Sequence, residues 1–405
     1  MKAISGKPLA WILTVVYFAS YVTRINFAAI VQEIVSDLGY EKTAMSVILV
    51  VISITYGVGQ LINGWLGDKI KPDLMILAGL SVATLMNLLF PVCRGSILLL
   101  AILWGINGFA QAMMWPPMVK ILVSASDPDT YNYSVIRIYW GSSLGTILVY
   151  LVSPLIISLV GWEFVFVFCA IIGGSAIVLW QTVRSRINTE AVIDDESSNE
   201  EEAPTVQRFP ASAAFPIALI SVAIIMQGML RDGISSWMPT YLSEVFSLDN
   251  ETSILLTVSL AIFSIAIISF TGTIYKKHFE NEVVLGGVLF AVATVSSLLL
   301  YLLFNNGVAL AVVLMMLING CMHGINLMLI THVPKRFKKY GNISTISGAI
   351  NSCTYIGAAI STYLIALLSE VIGWHGTIAV WGAIAFVGVA CCFAAAMRWK
   401  KFYNE

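Results

Sequence analysis

Residues 8–30 read PLAWILTVVYFASYVTRINFAAI. The stretch is long enough to cross the hydrocarbon of a bilayer as a helix, which takes about 20 residues. Between Lys7 and Glu33 it holds one charge, Arg24. Eleven further stretches of the same kind follow, at 44–66, 73–92, 97–120, 133–157, 162–184, 213–240, 252–274, 282–304, 307–330, 343–368 and 375–397. Composition agrees. Of 405 residues, 58% are hydrophobic and 11% charged, against about 25% charged in a soluble chain. The runs are too long and continuous for barrel strands. The sequence therefore predicts an all-α integral membrane protein whose solvent is the bilayer.

Orientation follows from the basic residues, which favour the cytoplasmic side. With both termini placed there, 17 of the 22 Lys and Arg fall on the cytoplasmic side, and Lys42 and Arg94 fall outside. Arg24, Arg137 and Arg231 remain within the membrane. The lysines of MKAISGKP ahead of an apolar run resemble a signal peptide. The run is too long and lacks a small-residue cleavage site, so it is read as a retained first helix.

Residues 185–211 differ from the rest, with the acidic run DDESSNEEEAP. They read as a solvated cytoplasmic linker between an N-terminal half, 1–184, and a C-terminal half, 212–405. The halves look alike. LVSPLIISLVGW ends at Trp162 and YLIALLSEVIGW ends at Trp374, and GSSLG (141–145) matches CTYIG (353–357) at the same offset of 212. Arg24 and Arg231 lie 207 apart, each in the first helix of its half. Such parallel repeats predict two pseudo-symmetric six-helix bundles with a ligand site near mid-membrane where the repeats meet.

The familiar catalytic and cofactor motifs are absent: there is no P-loop, G-x-G-x-x-G, H-E-x-x-H or G-x-S-x-G. Neither an enzyme nor a cofactor is expected. The six cysteines show no metal-ligand spacing, and the four histidines are scattered, so no metal is expected. The net charge of −1 gives no basis for a nucleic-acid partner.

The intramembrane arginines carry the information. An arginine at a helix centre costs roughly 2.5–3.5 kcal/mol on insertion scales. Among the 23 acids only Asp232 lies in the interior of a span, beside Arg231; the other 22 fall in loops or at helix ends. Sequence neighbours point about 100° apart on a helix, so this pair is expected to pair poorly. The simplest completion is an anionic ligand, since a guanidinium matches phosphate or carboxylate oxygens in paired fashion. With Asp232 the lone carboxylate candidate for a proton carrier, the count favours exchange of one anion for another. His323 is the other titratable candidate.

Tyr17, Tyr21 and Arg24 share a helix face, as do Gln227, Arg231 and Ser235. Tyr56 with Gln60, and Gln111 with Trp115, form similar polar-aromatic pairs. Each aromatic has two readings, cavity lining or packing within the bundle and the interfacial belt. Arg137, one to two turns from the cytoplasmic end of the fifth span, either faces the pathway or snorkels to the surface.

Twelve helices in two halves, with GWLGDKIKP after the second, resemble the major facilitator superfamily. The closer resemblance is to its organophosphate:phosphate antiporters, through YFASYVTRINFA, TYGVGQLINGWLGDK, QAMMWPP and MLRDGISSWMPTYL. It implies alternating access and a phosphorylated organic anion exchanged for inorganic phosphate, in a cell-membrane protein that is a monomer. It also implies that Arg24 and Arg231 are paired phosphate-binding arginines and that Tyr17, Tyr21, Tyr56, Gln111, Trp115 and Tyr355 line the cavity. Asp68 resembles the gating acid, with Lys69 and Lys71 as its basic part. The chain departs from the glycerol-phosphate branch at four positions. Ile25 and Gln60 stand where that branch has lysine, Trp140 where it has histidine, and Ser236 where it has aspartate. Two rival readings remain, a proton-coupled symporter for an organic anion such as a carboxylate, and a transporter-like sensor of sugar phosphate.

Overall fold

The computed structural model describes residues 4–404 except 41, 126–127, 188–210 and 249. Most of the expected acidic linker thus lies outside the described residues. Among those described there is no strand, only an isolated bridge between Ile4 and Ile187. Among the described residues twelve helices are long and apolar enough to cross a membrane, as the hydropathy pattern predicts. They are α1 (Gly6–Leu38), α2 (Lys42–Lys69), α3 (Pro72–Leu89), α4 (Ile97–Ala125), α5 (Pro128–Val160) and α6 (Glu163–Val183), then α7 (Ala211–Phe246), α8 (Asn250–His278), α9 (Glu282–Leu302), α10 (Val308–Lys335), α11 (Ile343–Val371) and α12 (Gly373–Asn404).

Two helices are irregular. The helix of α4 stops at Gln111 and restarts at Trp115. Pro116 and Pro117 have no N–H for the carbonyls four residues back, and proline sits best in the first turn of a helix. In α10 the segment Asn326–His332 is π-helical, just before Pro334, which likewise leaves the carbonyl of Ile330 without its regular donor.

The chain forms two compact units. Unit 1 holds residues 1–206 with 337–352, and unit 2 holds 207–336 with 353–405. Helix α11 therefore begins in one unit and ends in the other.

Within unit 1, α1 packs along α5. A β-carbon on Gly145 would stand 2.8 Å from the carbonyl oxygen of Phe18, so glycine is what lets the backbones meet. Phe27, Phe90, Trp104 and Phe166 then lock α1, α3, α4 and α6 together, with Phe90 stacked on Phe166 at 4.5 Å. Within unit 2, α7 packs along α11 in the same way, with Gly357 against the carbonyl of Ile225. The glycines are 212 apart and the residues they face 207 apart, the two offsets read from the sequence. A second match is new. The Trp162 indole N–H donates to Asp37 at 2.8 Å, and that of Trp374 donates to Glu244 at 2.7 Å. Asp37 and Glu244 are again 207 apart.

Outward faces are apolar. Val92, Leu159 and Met397 are each more than three-quarters exposed, as expected where the surrounding solvent is hydrocarbon rather than water.

Candidate functional site

In unit 1 the site grows from one face of α1. The Arg24 guanidinium lies 4.2 Å from the ring centre of Tyr21 and 4.8 Å from that of Tyr56 on α2. Tyr21 meets Tyr17 at 5.1 Å, Tyr17 meets Trp115 at 5.4 Å, and Trp115 meets Tyr139 of α5 at 5.1 Å. Tyr17, Tyr56 and Trp115 are buried while Arg24 is half-buried. Rings on a cation are worth roughly 0.5–2 kcal/mol each, more when water is excluded. They bed the Arg24 guanidinium on aromatic faces.

Behind this face runs a buried polar network. Gln111 accepts from the Ser20 hydroxyl and donates to Thr23 Oγ1 at 3.0 Å. Asn87 and Asn107 both donate to the Thr23 carbonyl, and Asn26 donates to Asn87. The Gln111 amide is thus engaged with α1. It fixes the turn that carries Arg24. Gln60 differs: it is fully buried, and neither end of its amide has a hydrogen-bond partner among the described residues. An unmet buried polar group costs about 1–3 kcal/mol, so this amide is poised for a ligand or water. The indole N–H of Trp115 is in the same condition.

In unit 2 the structure corrects one expectation. Arg231 and Asp232 do pair, in bidentate fashion, Nε to Oδ1 at 2.7 Å and Nη2 to Oδ2 at 2.9 Å. The 100° between their Cα–Cβ directions is closed by the long arginine side chain. Around them, Asn319 of α10 donates to the Arg231 carbonyl at 3.0 Å and to Ser235 Oγ at 2.9 Å. Gln227 is buried and donates to the Met322 carbonyl. His323 lies within electrostatic reach of both Arg231 and Asp232. Tyr355 is half-buried on α11.

At the basic end of unit 1, Asp68 accepts the backbone N–H groups of Ser344 and Thr345 at 2.9 and 2.8 Å. These belong to the first turn of α11, whose amides have no intrahelical partner and carry the positive end of the helix dipole. Gly348 lets the backbones close, since a methyl there would strike the carbonyl of Gln60. Lys120 is 9% exposed and donates to the carbonyls of Gly67 and Asp68 at 3.1 Å each. It fills the open C-terminal end of α2 and steadies Asp68. Lys69 instead lies 3.6 Å over the ring of Trp65, and Lys71 is exposed. Lys120 is the buried cation here. The sequence shows it only as one basic residue after Pro116-Pro117.

The third arginine, Arg137, lies elsewhere on unit 1. Its guanidinium is 3.8 Å from the Trp140 ring, 4.9 Å from Tyr133 and 5.7 Å from Trp11.

The chain belongs to the Major Facilitator Superfamily, whose profile matches residues 13–362. It is similar to a "Probable hexose phosphate transport protein" of Chlamydia pneumoniae, 30% identical over 36% of this chain and 32% of that protein. The match thus spans about a third of that relative. It is also similar to the "Glycerol-3-phosphate transporter" of Bacillus subtilis (strain 168), 27% identical over 89% of this chain and 85% of that one. Among solved structures, the human organic anion transporter MFSD10 (TETRAN) shares the fold. Its TM-score is 0.71 at 12% identity, covering 95% of this chain and 99% of that one. The two relatives accord with the resemblance to organophosphate:phosphate antiporters.

Proposed function

We propose that this protein is a secondary transporter that moves a phosphorylated organic anion across a cell membrane in exchange for inorganic phosphate, by alternating access, as a monomer with both termini in the cytoplasm. The observation that carries the reading is the arginine pair. Arg24 and Arg231 occupy repeat-related positions on helices held by the same glycine-to-carbonyl contact, one in each unit. Each guanidinium fork suits a phosphate through paired charge-assisted hydrogen bonds.

In this reading Arg24 offers its donors from an aromatic bed formed by Tyr21 and Tyr56, with Tyr17 and Trp115 behind. Arg231 must exchange the Asp232 carboxylate for the incoming phosphate. Empty and loaded states therefore differ in charge and in contacts, which is what a ligand needs in order to shift a conformational equilibrium. Gln60 and Tyr355 face the organic part of the cargo. Asp68 acts as the cytoplasmic gate, with Lys120 as a positioning residue. Lys69 and Lys71 supply surface charge beside it.

Proteoliposomes loaded with inorganic phosphate test the proposal. Labelled phosphate is expected to exchange, with sugar phosphates competing. Absence of phosphate self-exchange removes it.

One observation favours a second reading, a proton-coupled anion symporter. Asp232 sits on Arg231 and within reach of His323, so it is placed to trade a proton for an ion pair. Uptake that collapses with a protonophore and needs no internal phosphate selects that reading.

A further inference from the structure

Arg137 stands apart from the cargo arginines. Gly141 of α5 faces the carbonyl of Thr14 and Gly145 that of Phe18, so α1 and α5 run parallel. The Arg137 guanidinium lies beside Trp11 and that of Arg24 over Tyr21. Those rings are ten positions apart on α1, about 15 Å along the axis at the helical rise. The two guanidiniums are thus bedded at different depths along α1.

The surroundings of Arg137 are those of a bilayer interface. Helix α5 has 33 residues, about 50 Å of helix against about 30 Å of hydrocarbon. With the excess shared between its ends, the hydrocarbon begins near residue 135, a few residues short of Arg137. Trp11, Tyr133 and Trp140 surround the guanidinium, as aromatic residues do at headgroup level. Lys7 lies one turn below Trp11, with its amine 5.6 Å from the Tyr133 ring. Arg137 forms neither an ion pair nor a hydrogen bond among the described residues, and its Nε is buried without a partner. Above it, Leu144, Leu151 and Leu155 continue the same stripe of α5, at intervals of seven, seven and four. They are 49, 63 and 62% exposed, so the stripe faces hydrocarbon.

We propose that the seam between α1 and α5 binds the headgroup of an anionic phospholipid. Arg137 and Lys7 hold its phosphate, Trp11, Tyr133 and Trp140 bed the glycerol region, and an acyl chain lies along Leu144, Leu151 and Leu155. The bound lipid staples the start of α1 to α5, the helix pair on which Arg24 stands. Each basic side chain near such a surface strengthens anionic-lipid binding roughly fivefold.

The test uses the full-length protein purified in detergent and titrated with POPG or POPC, with lipid retention read by native mass spectrometry and stability by thermal shift. POPG is expected to be retained and to raise the melting temperature more than POPC. Arg137→Gln is expected to lose most of that increment, Lys7→Gln part of it, and Arg137→Lys little. Inorganic phosphate and glucose 6-phosphate form the soluble arms, and a shift from either that vanishes in Arg137→Gln while POPG still acts makes the residue a cargo ligand instead. A parent protein that prefers POPC or shows no preference overturns the proposal without any variant. So does an Arg137→Gln protein that keeps the full POPG increment.

Discussion

Arg24 and Arg231 hold equivalent places in their units and are treated in opposite ways. Arg24 rests on the rings of Tyr21 and Tyr56, while Arg231 is clasped by Asp232. The scaffolds beneath them match, with glycine against carbonyl and indole against carboxylate in both units. The difference teaches that a repeat can keep its backbone register while dividing chemical labour. A ring offers a cation its π face at modest energy. A carboxylate must be displaced before the guanidinium can take a second anion in the same paired fashion. On the reading proposed above, Arg231 must give up Asp232 before it can take the phosphate.

Changes at five positions break or sharpen that contrast. The largest effect is expected from Arg24→Ala, which removes at least two charge-assisted hydrogen bonds, about 3 kcal/mol or more, and weakens phosphate binding roughly a hundredfold or beyond. Equilibrium binding on purified protein reads it, and near-normal affinity would dismiss the clamp. Arg24→Lys should recover only part, since a point charge does not reproduce the fork.

Next comes Asp232→Asn. If the carboxylate competes with the cargo, this variant binds phosphate about tenfold more tightly, the equivalent of about 1.4 kcal/mol, and exchanges it more slowly. If Asp232 instead carries a proton, uptake loses its pH dependence with little gain in affinity. Measuring exchange rate and affinity over a pH series separates the two outcomes.

Asp68→Asn comes third. It weakens the bonds to the first turn of α11 by about 1 kcal/mol, and protease or cysteine-labelling access near Ser344 should rise several-fold. The smallest effect is expected from Trp374→Phe, which removes one hydrogen bond to Glu244, about 1 kcal/mol of stability. Trp162→Phe should match it in thermal-shift measurements. Unequal losses would show that the two clasps are not equivalent.

Much of the fold was legible in the chain because a bilayer imposes a length. Twelve apolar stretches became twelve spanning helices, though α1 runs on to Leu38, where polarity had masked its continuation. Two interruptions were not legible. The break at Gln111–Trp115 and the π-helical turn at Asn326–His332 depend on where a proline's missing donor is absorbed, and hydropathy is silent on that. In the candidate site, the face of Tyr17, Tyr21 and Arg24 followed from spacing alone. The Arg231–Asp232 pair did not, because helix geometry fixes Cβ directions while a four-torsion side chain decides what is reached. Lys120 was hidden for a related reason. Its partners are the carbonyls of Gly67 and Asp68, and backbone groups leave no mark in a sequence.

That last point has a consequence for Asp68. Its partners are two amides, of Ser344 and Thr345, and every residue except proline supplies an amide. Substitution at position 345 can therefore alter the side chain without removing the acceptor's partner. Half of the contact is thus insulated from most side-chain substitution. Its vulnerability is concentrated in one aspartate and in the glycine at 348 that lets the backbones meet.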